Sequence, residues 1–433
     1  MTERATIHQY TQFAVETTPG TRPAGGANRR HPALGIDIEP QLEAEYFRPK
    51  GHKFPTIVSP NREWVTASLN AAPDYNLLTW LFNMILDAAT PAQQGATAAY
   101  QHEFTPDAKG SDDCKTLWIE EGGSVRAHGF GYALLNELGL EITRGGISLS
   151  GALIGQRLQD NISLGTNEVQ TLSITGAPTG GTFTISLGGQ TTAAIAYNAT
   201  AAVVQAALEL ISTIGAGNVV CTGGPLPATA VVIEFRGALA RTDVATVTTT
   251  ASLTGGTTPA TAVAATTAGA VITESIAKPI LPGHVSVYLD TTGAGLGTTK
   301  LTRLLRVNPQ FGGERHGPVW ALNRSETSYV AHVEGEPEWT CELMLEADST
   351  GMGLITPLRA GDKRFLRIEA IGPLIAGAFF YTLILDLCLQ FGEAYSFSDE
   401  EGVYAVTYPA RVSYDATWGK AAYAKLINEI TAI

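Results

Sequence analysis

The sequence predicts a mainly β (α+β) chain, with two tandem, related units around a small inserted β-rich domain that carries one helix. Three observations predict it. Composition changes abruptly near Gly165 and changes back near Val271. The two flanks repeat the same landmarks in the same order. The best-matched repeated segment alternates apolar residues with a period of two, the spacing of one face of a strand.

A chain of 433 residues has room for two or three domains, and 44% hydrophobic residues is ordinary for a globular protein. The net charge of −13 argues against a basic face that grips a nucleic-acid backbone, although not against a surface past which nucleic acid slides. Cys114, Cys221, Cys341 and Cys388 are widely spaced and form no C-x-x-C pair, so reduced thiols are expected in place of a zinc ribbon or a disulfide scaffold. The opening "MTERATIHQY" lacks the apolar core of a secretory leader. The apolar run "AIGPLIAGAFFYTLIL" falls short of the ~20 residues that span a bilayer and holds Gly372, Pro373 and Gly377; it predicts buried strands joined by a turn, with no membrane insertion.

The boundaries read from composition are 1–164, 165–271 and 272–433. The middle block is crowded with Thr, Ala and Gly and carries a net charge of −2, leaving −11 to the flanks. Its length is too great for a structureless connection inside a compact domain, so it predicts a module. "TLSITG", "TFTISLGG" and "AVVIEFRG" read as strands. "NATAAVVQAALELIS" reads as a helix capped by Asn198, with Val203, Val204, Ala207, Leu208 and Ile211 on one face.

In the flanks, "ETTPGT" at Glu16 is answered by "DTTGAG" at Asp290, "EPQ" at Glu39 by "NPQ" at Asn308, and "REW" ending at Trp64 by "PEW" ending at Trp339. "TLWIEEGGSVRAHGFGYALLNELGLEI" then lies without a gap over "FLRIEAIGPLIAGAFFYTLILDLCLQF", with ten identities at an offset of 249. Chance at average composition gives about two. Tyr132, Leu134, Leu138, Leu140 and Ile142 share one face at even spacing, which predicts a strand. "YNLLTWLFNMILDAA" is the clearest helix, with Leu77, Leu78, Leu81 and Ile85 as its apolar stripe; its counterpart "STGMGLITPLRAG" is interrupted by Pro357. The closing "TWGKAAYAKLINEI" predicts a docking helix through Trp418, Ala422, Tyr423, Leu426 and Ile430.

No catalytic or metal-binding constellation emerges, and no cofactor is implied. The eight histidines form no H-x-x-x-H, and there is no G-x-S-x-G. "GAGLGTTK" at Gly293–Lys300 departs from a P-loop because two threonines separate its last Gly from Lys, so it predicts a hairpin tip. "SDEEG" at Ser398–Gly402 predicts a solvated hairpin turn in preference to a calcium site. Trp64, Trp339, Tyr132 and Tyr381 are candidate core anchors, because they recur at matched places.

"VYLDTTGAGLGTTKLTRLLRV", "EGEPEWTCELMLEADSTGMGLITPLRAG" and "FSDEEGVYAVTYPARVSYDATWGKA", with the early "FAVETTPGT", resemble the tail tube (major tail) proteins of long, non-contractile-tailed bacteriophages. The resemblance covers both flanks, about three quarters of the chain, and rests on combined textures more than on any single motif. It implies a β-sandwich or barrel with a flanking helix in each unit, and rings that stack into a hollow tube. Relatives with two units per chain form trimers with pseudo-sixfold rings, an arrangement the duplication matches. The implied location is the virion, after synthesis in the host cytoplasm. The implied partners are the chain itself, a tape-measure protein, other tail proteins and, transiently, DNA in the lumen. The insert resembles a threonine-rich module of phage and bacterial surface proteins, which implies decoration. The competing reading is a surface adhesin or receptor-binding protein that uses the insert as its binding module.

Within the tube reading, an acidic lumen repels phosphate and eases sliding. The expected inter-ring contacts are the loops Gln41–Asn61 and Gln310–Gly335, with Glu43, Glu45, Arg48, Lys50, Glu314 and Arg315 as candidates.

Overall fold

The computed structural model describes residues 10–23, 26–123, 127–162, 167–269, 272–313, 315–322 and 326–431. The fold is mainly β, with 52% of residues in strands and 9% in helices. Glu314 and the insert's junctions with the flanks lie outside the described residues.

In the first flank, Tyr10–Val15 pairs with Leu117–Gly122, which pairs with the long strand Ala127–Thr143. That strand continues into pairing with Ile147–Gly155, then Ile57–Ala71, then Leu34–Phe47, all antiparallel. The change of partner occurs at Tyr132, whose φ of 54° is in the left-handed region and which sits at a ladder irregularity. Sandwich corners are made this way, by a bulge that lets one strand serve two sheets. "YALLNELGLEI" is therefore a strand that starts at a corner, but its apolar residues do not share one face. A bulge beside Asn136 leaves Tyr132 and Leu134 in a cluster with Tyr329 and puts Leu135 with Leu138, Leu140 and Ile142 in the main core.

The second flank repeats the plan. Val285–Asp290 pairs with Lys363–Ala376, then Phe379–Gln390. Leu304–Gly312, Glu338–Glu346, Val403–Val412 and Ser396–Glu400 form the other face. Phe13 opposite Ile119 is matched by Val287 opposite Ile368, so the first-strand landmarks occupy equivalent ladder positions in the two units. The gapless match does not continue through the hairpin. Phe130 faces Ile119, but Ile368 faces Leu385, not Phe379. The first hairpin closes between Gly122 and Ala127, whereas the second runs on to a turn at Gly377 (φ 61°). This lengthening carries Ile371, Leu374 and Phe380 into solvent, so the apolar run is strand and turn, as expected, but not wholly buried.

The flanks are not separate domains. Leu304–Gly312 pairs across to Ala127–Thr143, and Ala422–Asn428 pairs across to Tyr100–Phe104. One buried cluster runs through both flanks, with Phe82 against Phe311 at 6.4 Å. The closing segment is thus a strand where a helix was expected. Ala422, Ala424, Leu426 and Asn428 are buried in alternation, because this segment fills a slot between two strands whose backbone groups need partners.

The helix Leu77–Asn83 is shorter than its pattern suggested, yet every residue in it is buried. Its counterpart is two short helices, Ser349–Gly353 and Ile355–Ala360. The "GAGLGTTK" segment caps a short hairpin, as expected: Tyr288 bridges Lys300 antiparallel, and the Leu289 and Leu301 N–H groups donate to the Thr299 and Val287 carbonyls, before the longer strands take other partners. It folds onto Asp290, whose carboxylate accepts the Gly297, Thr298 and Thr299 N–H groups at 3.0, 3.2 and 2.9 Å. The matched Glu16 also accepts backbone N–H groups, from Gly20 and Tyr132, both at 3.0 Å. "SDEEG" is a two-residue turn, with Glu401 and Gly402 both at positive φ.

The insert has its own core, built from Leu172, Phe183, Ile185, Val204, Leu208, Ile233 and Phe235 among others. Its helix spans Ala201–Glu209 and is capped by Thr200, which accepts from the Val203 N–H, and not by Asn198. Val203 is half exposed, so the buried face is Val204, Leu208 and Ile211. A module with a separate core is removable. Deleting Asn167–Ala268 is expected to leave the thermal unfolding of the flanks within a few degrees of the intact chain; collapse of the flanks contradicts a self-contained insert.

Candidate assembly surface

Leu34–Phe47 and Ile57–Ala71 form a hairpin whose inner half is core and whose outer half is exposed. Val65, Ala67 and Leu69 are buried, and beyond Glu63 the ribbon leaves the body. Glu43 and Arg62 are ion-paired at 3.5 Å across it. Further out, Tyr46 faces Val58 and Phe47 faces Ile57, so each side of the ribbon ends in an apolar pair. Leu42 is 61% exposed, Tyr46 63% and Phe54 70%. The tip "RPKGHK" carries Arg48, Lys50 and Lys53 with no carboxylate before Pro60. A bare two-stranded ribbon is only marginally stable in water, so this arm is built to be covered.

The second loop behaves in the opposite way. Residues His316–Val319 and Ala331–Glu334 pair into a small ribbon that folds back as a strap over the first flank. The wholly buried Tyr329 donates its hydroxyl to the Tyr132 carbonyl at 2.6 Å, and the Tyr132 hydroxyl meets His332 Nδ1 at 3.2 Å. Gln156 Nε2 donates to the Tyr329 carbonyl at 2.8 Å, and the Glu63 N–H donates to the Thr327 carbonyl at 3.0 Å. Arg62 and Trp64 pack on Trp320 at the arm's base.

The candidate residues accordingly divide. Glu43, Glu45, Arg48 and Lys50 are exposed on the arm. Arg315 is not a surface loop residue: it is 1% exposed, ion-paired to Asp112 and to Glu334 (3.0 Å), and stacked over Trp339 at 5.5 Å. "GGERHG" lies in an expected inter-ring loop, yet its Arg315 belongs to a buried ion cluster. Trp339, Tyr132 and Tyr381 are buried. Trp64 is only half buried, which corrects its assignment as a core anchor. Pro40 faces Val65 and Pro309 faces Cys341, so "REW" and "PEW" sit one residue out of step, and a one-residue step turns a strand side chain to the other face.

His316, beside Arg315, is the strap group whose shift bears on the acid range. Burial, then the neighbouring His332 and Arg315, pull its pKa down to about 3, against a favourable contribution from the Met84 backbone. Because the folded value lies below the ordinary 6.5, the unfolded chain takes up a proton that the folded chain refuses. Stability from this group is complete above pH ~6.5 and falls by about 1.4 kcal/mol per pH unit as pH drops toward 3. His316→Gln is expected to flatten part of the acid limb of a stability–pH curve; an unchanged limb contradicts this.

Beneath the strap, a groove of about 720 Å³ lies at the seam between the flanks. Its charged lining is Asp107, Lys109, Asp112, Arg315, Glu334 and Glu336. Hydrogen bonds from the Lys109 and Gly110 backbone hold the exposed Asp107 carboxyl below the usual range. Among the described residues, no three His, Cys, Asp or Glu side chains converge on a metal position, and no helix is long and apolar enough to cross a membrane. Sequence reasoning missed the strap and the groove, because their partners lie about two hundred positions apart. No protein-family model and no curated protein sequence matches the chain.

Proposed function

We propose that the chain is a structural virion protein that self-assembles into the hollow tail tube of a bacteriophage, as stacked rings of three chains. One observation carries the reading: two units of one strand plan are fused by shared sheet pairing into a double wedge, from which the Leu34–Phe47/Ile57–Ala71 ribbon projects as an exposed apolar arm. Three double wedges supply six similar units, and closing a ring shields lateral surfaces that a free copy exposes. Burying each large arm side chain contributes up to about 1.5–3 kcal/mol, offset by the cost of association. The chain's acidic balance suits a lumen that repels DNA phosphates.

Electron microscopy of the purified chain tests this. Rings or tubes are expected, and monomers or solid fibres contradict it. The insert decorates the exterior, so the chain lacking Asn167–Ala268 is expected to assemble with the same ring diameter. An adhesin that acts through the insert predicts no assembly with or without it.

A further inference from the structure

The arm and the seam groove have opposite charge. From Arg48 to Lys53 the arm tip carries three cationic side chains and no anionic one. The groove sets four carboxylates, Asp107, Asp112, Glu334 and Glu336, against Lys109 and Arg315, a net of −2. Arg315 is already held between Asp112 and Glu334, so the exposed Asp107 and Glu336 at the mouth face solvent as the surplus. The groove is also too wide for the chain's own side chains to fill, and Trp339 with Tyr414 gives it an apolar wall. The arm supplies a matching mixture of cations and aromatic side chains, Phe47 and Phe54.

We propose that the basic arm tip of one copy seats in the acidic seam groove of a second copy. This rests on the self-assembly reading and names its contact. The outer arm, Leu42–Phe47, reaches roughly 20 Å from the body at the usual strand rise, enough to enter a neighbour. The match is heterologous, arm to groove, so it propagates from copy to copy instead of closing a pair. Each chain offers one arm, because the corresponding loop of the second flank is folded down as the strap. A ring of three chains then presents three arms to the next ring, and stacking is threefold although the ring is nearly sixfold.

The test uses two full-length variants. The arm variant carries Lys50→Glu and Lys53→Glu; the groove variant carries Ala108→Lys and Glu336→Lys, all at exposed positions. Each alone sets like charge against like charge, and the critical concentration for assembly is expected to rise about tenfold or more. Mixed in equal amounts they are complementary in both directions, and assembly is expected to return as an alternating polymer. Unchanged melting temperatures establish that both variants fold. If either variant alone assembles like the wild type, or the folded pair does not co-assemble, the contact is overturned while the tube reading stands. If the wild type forms no rings or tubes, the tube reading fails and this contact with it.

Discussion

Replacing Ala44–Asn61 by Asn-Gly is expected to give a folded chain that does not form tubes. The edit joins Glu43 to Arg62, which face each other on the ladder, through a turn suited to a two-residue hairpin. It removes Tyr46, Phe47, Phe54, Ile57 and Val58, all of them exposed, and leaves Val65, Ala67 and Leu69 in the core. Folding should therefore be unaffected, with unfolding midpoints within a few degrees, while sedimentation shows rings or smaller species at concentrations where the intact chain is polymeric. Full-length tubes from the shortened chain contradict a role for the arm.

The second large effect is on stability. Arg315→Met is expected to destabilise the flanks by about 3–5 kcal/mol, because it leaves Asp112 and Glu334 without their counter-charge in a buried setting. The loss is electrostatic more than steric, so adding Asp112→Asn and Glu334→Gln to the same chain should recover a large part of it. Denaturant unfolding of the three variants decides this. A single variant within 1 kcal/mol of wild type, on the order of an exposed pair's contribution, would make Arg315 the surface residue that its sequence context suggests.

The strand plan was legible where a local pattern and a repeat agreed. Even spacing through Leu138, Leu140 and Ile142 marked a strand, though not the bulge that turns Leu134 away from them, and the pairing of Glu16 with Asp290 found two buried carboxylates that each organise a turn. The insert was legible because composition alone sets it apart. Illegible were features decided by contacts distant in sequence. Ala422–Asn428 has the spacing of a helix stripe and of a strand; the open slot beside Tyr100–Phe104 selects the strand. The gapless match concealed a hairpin of different length, since apolar alternation survives any even shift in register. The two candidate loops looked alike in charge, yet one projects and the other is tied down by Tyr329. The groove depends on residues from four separated stretches, around Asp107, Arg315, Glu336 and Tyr414, and no local signal announces it.

Ring stoichiometry is the most direct measurement of the central claim. Native mass spectrometry of assembled material dissociated to single rings should give about 137 kDa, three times the 45.7 kDa chain, and averaged end views should show six similar lobes. A ring of six chains, or a chain that stays monomeric at every concentration, would contradict the proposal that one chain supplies two of the six wedges.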